Sequence, residues 1–171
     1  MKATSILLIL ISFLFVSCDE VEELAEFNVT TTLSETATIT LSENNSTYSE
    51  AIIISLEDNS DISPYLDQIE SVEILEGYYK IENYQGVDEA TGTFDVTIAT
   101  QAFGPYIHNF GADAQAQTEF TLPAAELTTL SSDLLNTQNI VMTFDGTQDP
   151  AQNGSFDVEV TLTVKVTAQA L

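Results

Sequence analysis

Residues 156–167 alternate strictly between apolar and polar side chains. A period of two is the pattern of a β-strand that buries one face, because successive side chains of a strand point to opposite sides. The pattern therefore predicts a long strand with one face in a hydrophobic core. The side chains on its predicted inner face are Phe156, Val158, Val160, Leu162, Val164 and Val166.

The same signal recurs along the chain, as alternation or as short runs rich in β-branched residues. A further candidate strand is interrupted near Gly77, where we expect a bulge. Together these segments predict eight or nine strands. They are residues 27–33, 37–41, 51–56, 71–82, 94–98, 117–122 and 139–144, in addition to 156–167.

Two short helices are also predicted, one beginning near Ser63-Pro64 and one following Pro123. In the second, one face carries apolar residues at helical spacing, which favours packing under a sheet; they are Ala124, Leu127, Leu130 and Leu134 or Leu135. So few helices cannot cover both faces of a parallel sheet, and the predicted fold class is an all-β, antiparallel β-sandwich. Immunoglobulin-like and jelly-roll-like arrangements both remain open, although the chain has no Trp for an immunoglobulin core.

The N-terminus has the anatomy of a secretory signal. Met1 and Lys2 supply positive charge, residues 6–16 are almost wholly apolar, and a small residue precedes Cys18. Eleven helical residues reach only about 16 Å, far short of the roughly 30 Å hydrocarbon core of a bilayer. We therefore interpret residues 1–17 as a signal peptide that is removed.

Residues 15–18, Phe-Val-Ser-Cys, resemble the lipobox of bacterial lipoproteins, although Phe15 departs from the leucine most common at its position. In that family the cysteine is lipidated and becomes the new N-terminus, so the resemblance implies a covalent lipid such as palmitate on Cys18. Acidic residues directly behind the cysteine resemble the surface-export signal of lipoproteins of the Bacteroidota type. Here they are Asp19, Glu20, Glu22 and Glu23.

The resemblance implies a lipid-anchored protein of the bacterial outer membrane that faces the cell surface. Residues 18–26 would form the lipidated cysteine with an acidic tether, and residues 27–171 one sandwich domain. A plain cleaved signal followed by a solvated acidic linker is the alternative. A disulfide is excluded within the chain, because Cys18 is its only cysteine.

The chain is strongly acidic, with 27 Asp and Glu against 3 Lys and Arg and a formal net charge of −24. Removing the signal removes Lys2 and no acid, which makes the net charge −25. Nucleic-acid partners are disfavoured, because their binding depends on cations that neutralise phosphates. Such acidity favours solubility at a crowded surface, with cation binding as the sharper alternative.

The sequence gives little sign of catalysis, and we predict that the protein is not an enzyme. His108 is the only histidine, and the sequence shows no nucleophile or triad to accompany it. Because turn-forming glycines and a proline surround it, we interpret it as a loop or edge residue. Carboxylate pairs are abundant, so their presence does not identify a glycosidase. A carbohydrate-active enzyme is the least favoured alternative.

Calcium is the one cofactor with candidate residues, because Ca²⁺ takes six to eight oxygen ligands from Asp, Asn and carbonyl groups. Two segments interpreted as loops carry such residues, and neither has EF-hand spacing. Ordinary turn chemistry explains the same composition and is the favoured interpretation. The candidate ligands are Asp58, Asn59 and Asp61 in the first segment and Asp145 and Asp149 in the second.

The predicted function is the display of a non-catalytic binding or structural module at the cell surface. The lipid on Cys18 would hold the chain to the membrane, and the sandwich would present loops or strand edges to a protein or glycan partner. A calcium-dependent adhesion or glycan-binding module is the alternative within the same class.

Overall fold

The computed structural model describes residues 26–87, 89–98 and 101–169. The predicted signal peptide, Cys18 and the acidic residues Asp19, Glu20, Glu22 and Glu23 lie outside these ranges. No helix within them is long and apolar enough to cross a membrane.

Within the described ranges the chain forms eight strands, two α-helices and a 3-10 helix, Ser63–Gln68. Strands therefore dominate, as the period-two pattern predicts. The α-helices are α1 (Phe110–Ala116) and α2 (Ala124–Thr137). The strands are β1 (Glu26–Leu41), β2 (Thr47–Ser55), β3 (Ile69–Gln85), β4 (Thr91–Ile98), β5 (Gln101–Asn109), β6 (Glu119–Thr121), β7 (Asn139–Asp149) and β8 (Gly154–Gln169).

The strands form two four-stranded antiparallel sheets that pack face to face. The first sheet has the order β1-β8-β3-β6 and the second the order β2-β7-β4-β5. Consecutive strands β1 and β2 lie in opposite sheets, whereas the first two strands of an immunoglobulin fold share one sheet. The two orders are those of an eight-stranded jelly roll, which decides between the two predicted arrangements. The predicted all-β sandwich is confirmed.

Strand β8 lies at the centre of the first sheet, between β1 and β3. Its predicted inner face is buried: Phe156, Val158 and Leu162 have no exposed surface. Burying one such side chain stabilises the fold by about 1.5–3 kcal/mol. Phe156 stacks on Phe94 of β4 with ring centroids 5.8 Å apart, so aromatic contact joins the two sheets at the middle of the core.

Two strands differ from the sequence-based expectation. Residues 27–33 and 37–41 were expected as separate strands and form the single strand β1, because the period of two continues through half-buried Glu35. Strand β5 was expected as a turn around Gly104-Pro105. The strand absorbs these residues through an irregularity in its pairing with β4, between Phe94 and Val96.

Helix α2 closes one side of the sandwich. Strand β6 pairs only with residues 78–80 of β3, and the hydroxyl of Ser131 in α2 accepts a hydrogen bond from the amide of Ile74 at 2.9 Å. The helix thereby covers part of the β3 edge that β6 leaves unpaired, a common protection against edge-to-edge aggregation. Leu130 and Leu134 are fully buried, which confirms the predicted apolar face.

Candidate functional site

His108 is buried between the two sheets. It lies on the edge strand β5, only 1% exposed, and its Nε2 is 3.0 Å from the hydroxyl of Tyr79 in β3. Its Nδ1 is 3.2 Å from Oδ2 of Asp113 in α1. The same carboxylate oxygen accepts the amide of Asn109 at 3.1 Å. We call Tyr79, His108 and Asp113 the His108 network.

The expectation of a turn around His108 was wrong, whereas the alternative of an edge position is correct, because β5 is the edge strand of its sheet. Tyr106, His108 and Phe110 occupy every second position, which is the pattern of the inward face of a strand. This pattern could have predicted strand β5 from the sequence. Asn109 caps α1 by accepting the amide of Ala112 at 3.1 Å, a helix-start signal that the sequence analysis also missed.

Burial shifts the pKa values of the imidazole and the phenol in the His108 network. Desolvation lowers the pKa of His108, and the hydrogen bond and charge of Asp113 oppose this effect. Desolvation also raises the pKa of the Tyr79 hydroxyl. Phe94 and Phe120 surround the imidazole with ring centroids 4.6 and 4.4 Å away. The imidazole therefore sits in an apolar setting that disfavours its protonation.

The carboxylate of Asp113, the imidazole of His108 and the hydroxyl of Tyr79 contact one another in the order found in proton relays. The hydroxyl at the end of this series belongs to Tyr79, which has no exposed surface. A reacting group must reach its substrate within hydrogen-bond distance. Tyr79 comes from the first sheet, His108 from the second, and Asp113 from the following helix. This arrangement ties together three elements of the fold.

Glu126 is a second buried polar group, in the first turn of α2. The residue is 3% exposed, and its Oε1 lies 3.4 Å from the Tyr106 hydroxyl. Its Oε2 is buried and has no hydrogen-bond partner among the described residues. Burial raises the pKa of the carboxyl, and the contact with Tyr106 opposes this. The spacing of Glu126 from Leu130 and Leu134 places it on the inner helix face, a signal present in the sequence.

The second candidate calcium segment is not a loop. Asp145 and Asp149 lie in strand β7, which is a correction to the sequence-based interpretation. Four residues apart on one face of a strand, they are separated by about 13 Å along it. Asp145 lies opposite Asp95 of β4 instead. The loop expected here is therefore a strand, and calcium binding by Asp145 and Asp149 stays a prediction.

The first candidate segment is a loop, between β2 and the 3-10 helix. Asn59 Oδ1 accepts the amide of Asp61 at 3.0 Å, and Asn59 Nδ2 donates to the carbonyl of Thr32 in β1 at 3.3 Å. This is the turn chemistry that the sequence analysis favoured. Among the described residues, no three His, Cys, Asp or Glu side chains are grouped to hold a metal ion. Calcium binding through Asp58, Asn59 and Asp61 stays a prediction.

A polar groove lies at the end of the sandwich opposite Glu26, where β3 ends and α1 begins. It has a volume of about 530 Å³, within the roughly 300–1,000 Å³ range of small-molecule sites. The sequence does not reveal this groove, because its lining comes from two segments that are 25 or more positions apart. We call it the distal groove; its lining residues are Asn83, Tyr84, Asn109, Gly111, Ala112, Ala114 and Gln115.

Side-chain hydrogen bonds hold together the loops next to the distal groove. The Tyr84 hydroxyl donates to the carbonyl of Val87 at 2.9 Å and accepts from Gln152 Nε2 at 2.6 Å. Gln152 Oε1 in turn accepts the amide of Val87 at 2.8 Å. Buried Gln148 lies 3.2 Å from the carbonyl of Gln152 and 3.0 Å from that of Ser42. Three connecting loops are thus held together at this end.

No family model matches the chain, and no curated protein matches it. Among solved structures, it is similar to the crystal structure of the decameric BFDV capsid protein, with 10% identity and a TM-score of 0.44 over 82% of this chain and 99% of that one. It is also similar to a structure of Desmodium yellow mottle tymovirus, with 12% identity and a TM-score of 0.40 over 85% of each chain. Similarities at these values carry no conclusion about function.

Proposed function

We propose that the protein is an outer-membrane lipoprotein, anchored through a lipid on Cys18, that displays its jelly roll at the cell surface as a non-catalytic binding or structural module. The observation that carries the proposal is the Phe-Val-Ser-Cys motif at 15–18, followed by Asp19, Glu20, Glu22 and Glu23. The sandwich begins immediately after this segment, with β1 at Glu26.

The placement of the chain ends supports display. β1 runs from Glu26 to Leu41, which corresponds to about 50 Å of extended strand. A tether attached at Glu26 holds one end of the sandwich toward the membrane and directs the other end outward. The distal groove and the loops joined by Gln148 and Gln152 lie at that outward end. The surface farthest from the lipid is therefore the one whose loops are joined by side-chain hydrogen bonds.

Two features favour a non-catalytic module. The His108 network and Glu126, whose pKa values are shifted by burial, are enclosed in the sandwich. Titratable groups that act on a substrate instead line a cleft. Among the described residues, those that line the distal groove have neutral side chains, which offer binding contacts without a general acid or base of the carboxylate or imidazole type.

Replacing Cys18 with Ser tests the anchor. The variant should keep its signal peptide and be lost from the outer-membrane fraction, because lipidation of the thiol precedes cleavage in the lipoproteins that the motif resembles. The wild-type protein should remain with the outer membrane and be cut by protease added to whole cells. Wild-type protein without a covalent lipid, as measured by mass spectrometry, would contradict the proposal.

Replacing the acidic residues Asp19, Glu20, Glu22 and Glu23 with Ala tests surface export separately. This variant should stay lipidated and membrane-bound but become resistant to protease in whole cells. A control with Glu43→Ala, in the turn between β1 and β2, should behave like the wild type. Unchanged protease sensitivity of the quadruple variant would show that the acidic residues do not direct export.

A further inference from the structure

Strand β2 lies at the edge of the second sheet, with β7 as its neighbour. At one end of this pair, the amide of Leu56 donates to the carbonyl of Gln138 at 2.9 Å. At the other end, the amide of Gln148 donates to the carbonyl of Ser46 at 2.8 Å. Because hydrogen-bonded and non-hydrogen-bonded pairs alternate in an antiparallel ladder, the even-numbered residues of β2 bond to β7 and the odd-numbered ones point their amides and carbonyls outward. The outward residues at the centre of the strand, which we call the β2 edge, are Ser49, Ala51 and Ile53.

The other sheet edges have features that hinder the addition of a strand. Strand β6 has only 3 residues, and Ser131 of α2 covers part of β3 beyond it. Pro105 in β5 has no amide hydrogen to donate. Asn59 donates to the carbonyl of Thr32 in β1 at 3.3 Å. The β2 edge is exposed and has no strand on its outer side among the described residues, so it is the edge best suited to accept one.

The β2 edge also offers an apolar contact. Ile53 is 60% exposed, and its partner Val141 in β7 is 47% exposed. Both side chains lie on the outer face of the second sheet, because residues directly opposite each other in a strand pair share a face. A strand that pairs with Ile53 would therefore cover apolar surface as well as backbone groups.

Acidic side chains flank β2 toward both of its ends. Asp145 lies opposite Ser49 of β2 on one side and opposite Asp95 of β4 on the other. The two carboxylates share a groove of about 480 Å³. Like charges directly opposite each other destabilise a sheet, so a cation beside this pair would stabilise it. At the other end of β2, Glu35 and Asp58 line a groove of about 130 Å³.

The chain supplies little positive charge to balance these acids. The strands of the second sheet contain no lysine or arginine, and Lys80 and Lys165 lie in strands of the first sheet. Lys80 is held there by Glu82 and Glu159 at 2.9 and 2.7 Å. A partner is therefore the natural source of positive charge for the two grooves.

Charge also separates the candidate occupants of the β2 edge. The residues between Cys18 and Glu26 are predominantly acidic, and a second copy of the chain brings a net charge of −25 once Lys2 is removed. Either would be repelled by the carboxylates that flank β2. A basic segment of another protein would instead be attracted toward both ends of the strand.

We propose that the β2 edge binds an extended segment of a partner protein that carries lysine or arginine near both of its ends. The segment continues the second sheet by pairing with Ser49, Ala51 and Ile53, and its basic side chains lie in the two acidic grooves. The grooves adjoin Ser49 and Ser55, which are about 20 Å apart along the strand, so the basic residues stand about six positions apart. This inference rests on the proposed function, because it names the edge of the displayed module and the chemistry of its partner.

The test uses the full protein in a neutral detergent and a fluorescent peptide in which alternating valine and threonine separate two lysines, about six positions apart. One control peptide carries glutamate in place of lysine. A second keeps both lysines but is N-methylated at two adjacent central amides, which blocks pairing along either edge of the peptide. We expect the lysine peptide to bind, the N-methylated one to bind at least tenfold more weakly, and the glutamate one to give no signal. Absence of binding by the lysine peptide would overturn the proposal, and equal affinity of both lysine-containing peptides would reveal non-specific attraction and overturn it as well.

The edge is then tested with matched variants at one position. Ala51→Pro removes an amide that points outward, where an edge strand tolerates proline, and Ala51→Val keeps that amide. We expect Ala51→Pro to weaken binding of the lysine peptide at least tenfold and Ala51→Val to leave it unchanged. Equal affinity of the two variants would place the peptide elsewhere and overturn the assignment.

Asp145→Asn decides the case if Ala51→Pro melts early, because it removes a charge without removing a backbone group. We expect severalfold weaker binding and a smaller dependence on salt. Glu119→Gln, exposed on β6 of the first sheet, removes one charge as well and should keep the wild-type affinity. Equal affinity of these two variants would contradict the role of the acidic grooves.

The other occupants give distinct outcomes. A dimer that Ala51→Pro dissociates, measured by light scattering, would assign the β2 edge to a second copy and overturn the proposal. Peptide binding that requires removal of the residues before Glu26 would assign the edge to those residues instead. The surface-exposure experiment on Cys18 is independent of both. A displayed protein that does not bind the lysine peptide contradicts this inference alone, whereas a peptide-binding protein without a lipid contradicts only the display.

Discussion

The Tyr79 hydroxyl lies 3.0 Å from Nε2 of His108, and this hydrogen bond joins the two sheets of the sandwich. Tyr79 is fully buried and His108 nearly so. A buried polar group without a partner costs about 1–3 kcal/mol, so each of these side chains depends on the other. The pair fixes β5, an edge strand, against the centre of β3.

His108→Ala should therefore destabilise the protein by about 3 kcal/mol, because it leaves a cavity and removes a partner from both Tyr79 and Asp113. Urea denaturation at pH 7.5 measures the change. Ile107→Ala on the same strand is the control, since Ile107 is 79% exposed and should alter stability by less than about 0.5 kcal/mol. A similar small effect for both variants would mean that the network contributes little.

Stability should fall as the pH drops below about 6.5, the ordinary pKa of histidine. Burial lowers the pKa of His108 in the folded protein, so the unfolded chain binds a proton that the folded protein does not. The contribution of one group is at most about 1.4 kcal/mol per pH unit. Urea denaturation at pH 7.5 and 5.5 should show a larger loss in the free energy of unfolding for the wild type than for His108→Gln. Equal losses in the two proteins would contradict the prediction.

Glu126→Gln should stabilise the protein by about 1 kcal/mol at pH 7.5. Burial raises the pKa of Glu126 in the folded protein above its value near 4.5 in the unfolded chain. The protonated carboxyl therefore contributes fully to stability below pH 4.5, and this contribution is lost as the pH rises through the pKa of the folded protein. The advantage of the neutral variant should shrink toward pH 4.5. Exposed Glu119→Gln is the control, and a Glu126→Gln protein less stable than the wild type at pH 7.5 would show that the carboxylate is accommodated.

Gly146→Ala should cost about 2–3 kcal/mol. A Cβ at this position would overlap the carbonyl of Thr93 and the hydroxyl of Tyr48, which donates to that carbonyl at 3.0 Å. Thermal unfolding measures the loss, and Ser49→Ala at an exposed position of β2 serves as the control. An unchanged melting temperature would imply that Tyr48 can move without consequence.

The strands could be predicted where burial imposes a regular period. Every predicted inner residue of β8 is buried, and the helix after Pro123 buries Leu130 and Leu134 as expected. β5 was missed because Gly104 and Pro105 are turn-forming residues in most settings, and only the pairing of their neighbours Phe103 and Tyr106 with β4 keeps the segment in a strand. Tertiary contacts therefore override the local preference at this point.

Neither site could be predicted from the sequence. The His108 network joins residues 79, 108 and 113, and the groove joins residues 83–84 to 109–115. These contacts depend on sheet order and register, which periodicity does not contain. The same limit explains Asp145 and Asp149, whose composition is typical of a turn although pairing with β2 and β4 keeps them extended.

β1 and β8 pair residue for residue from Glu26 opposite Gln169 to Leu41 opposite Gly154. The first strand of the domain has the eighth strand as its sheet neighbour, so the first sheet cannot be completed before β8 has been synthesised. Contacts this distant in sequence slow folding, because a long loop must close before they form. The β1 strand therefore waits for its partner through the synthesis of the six strands between them.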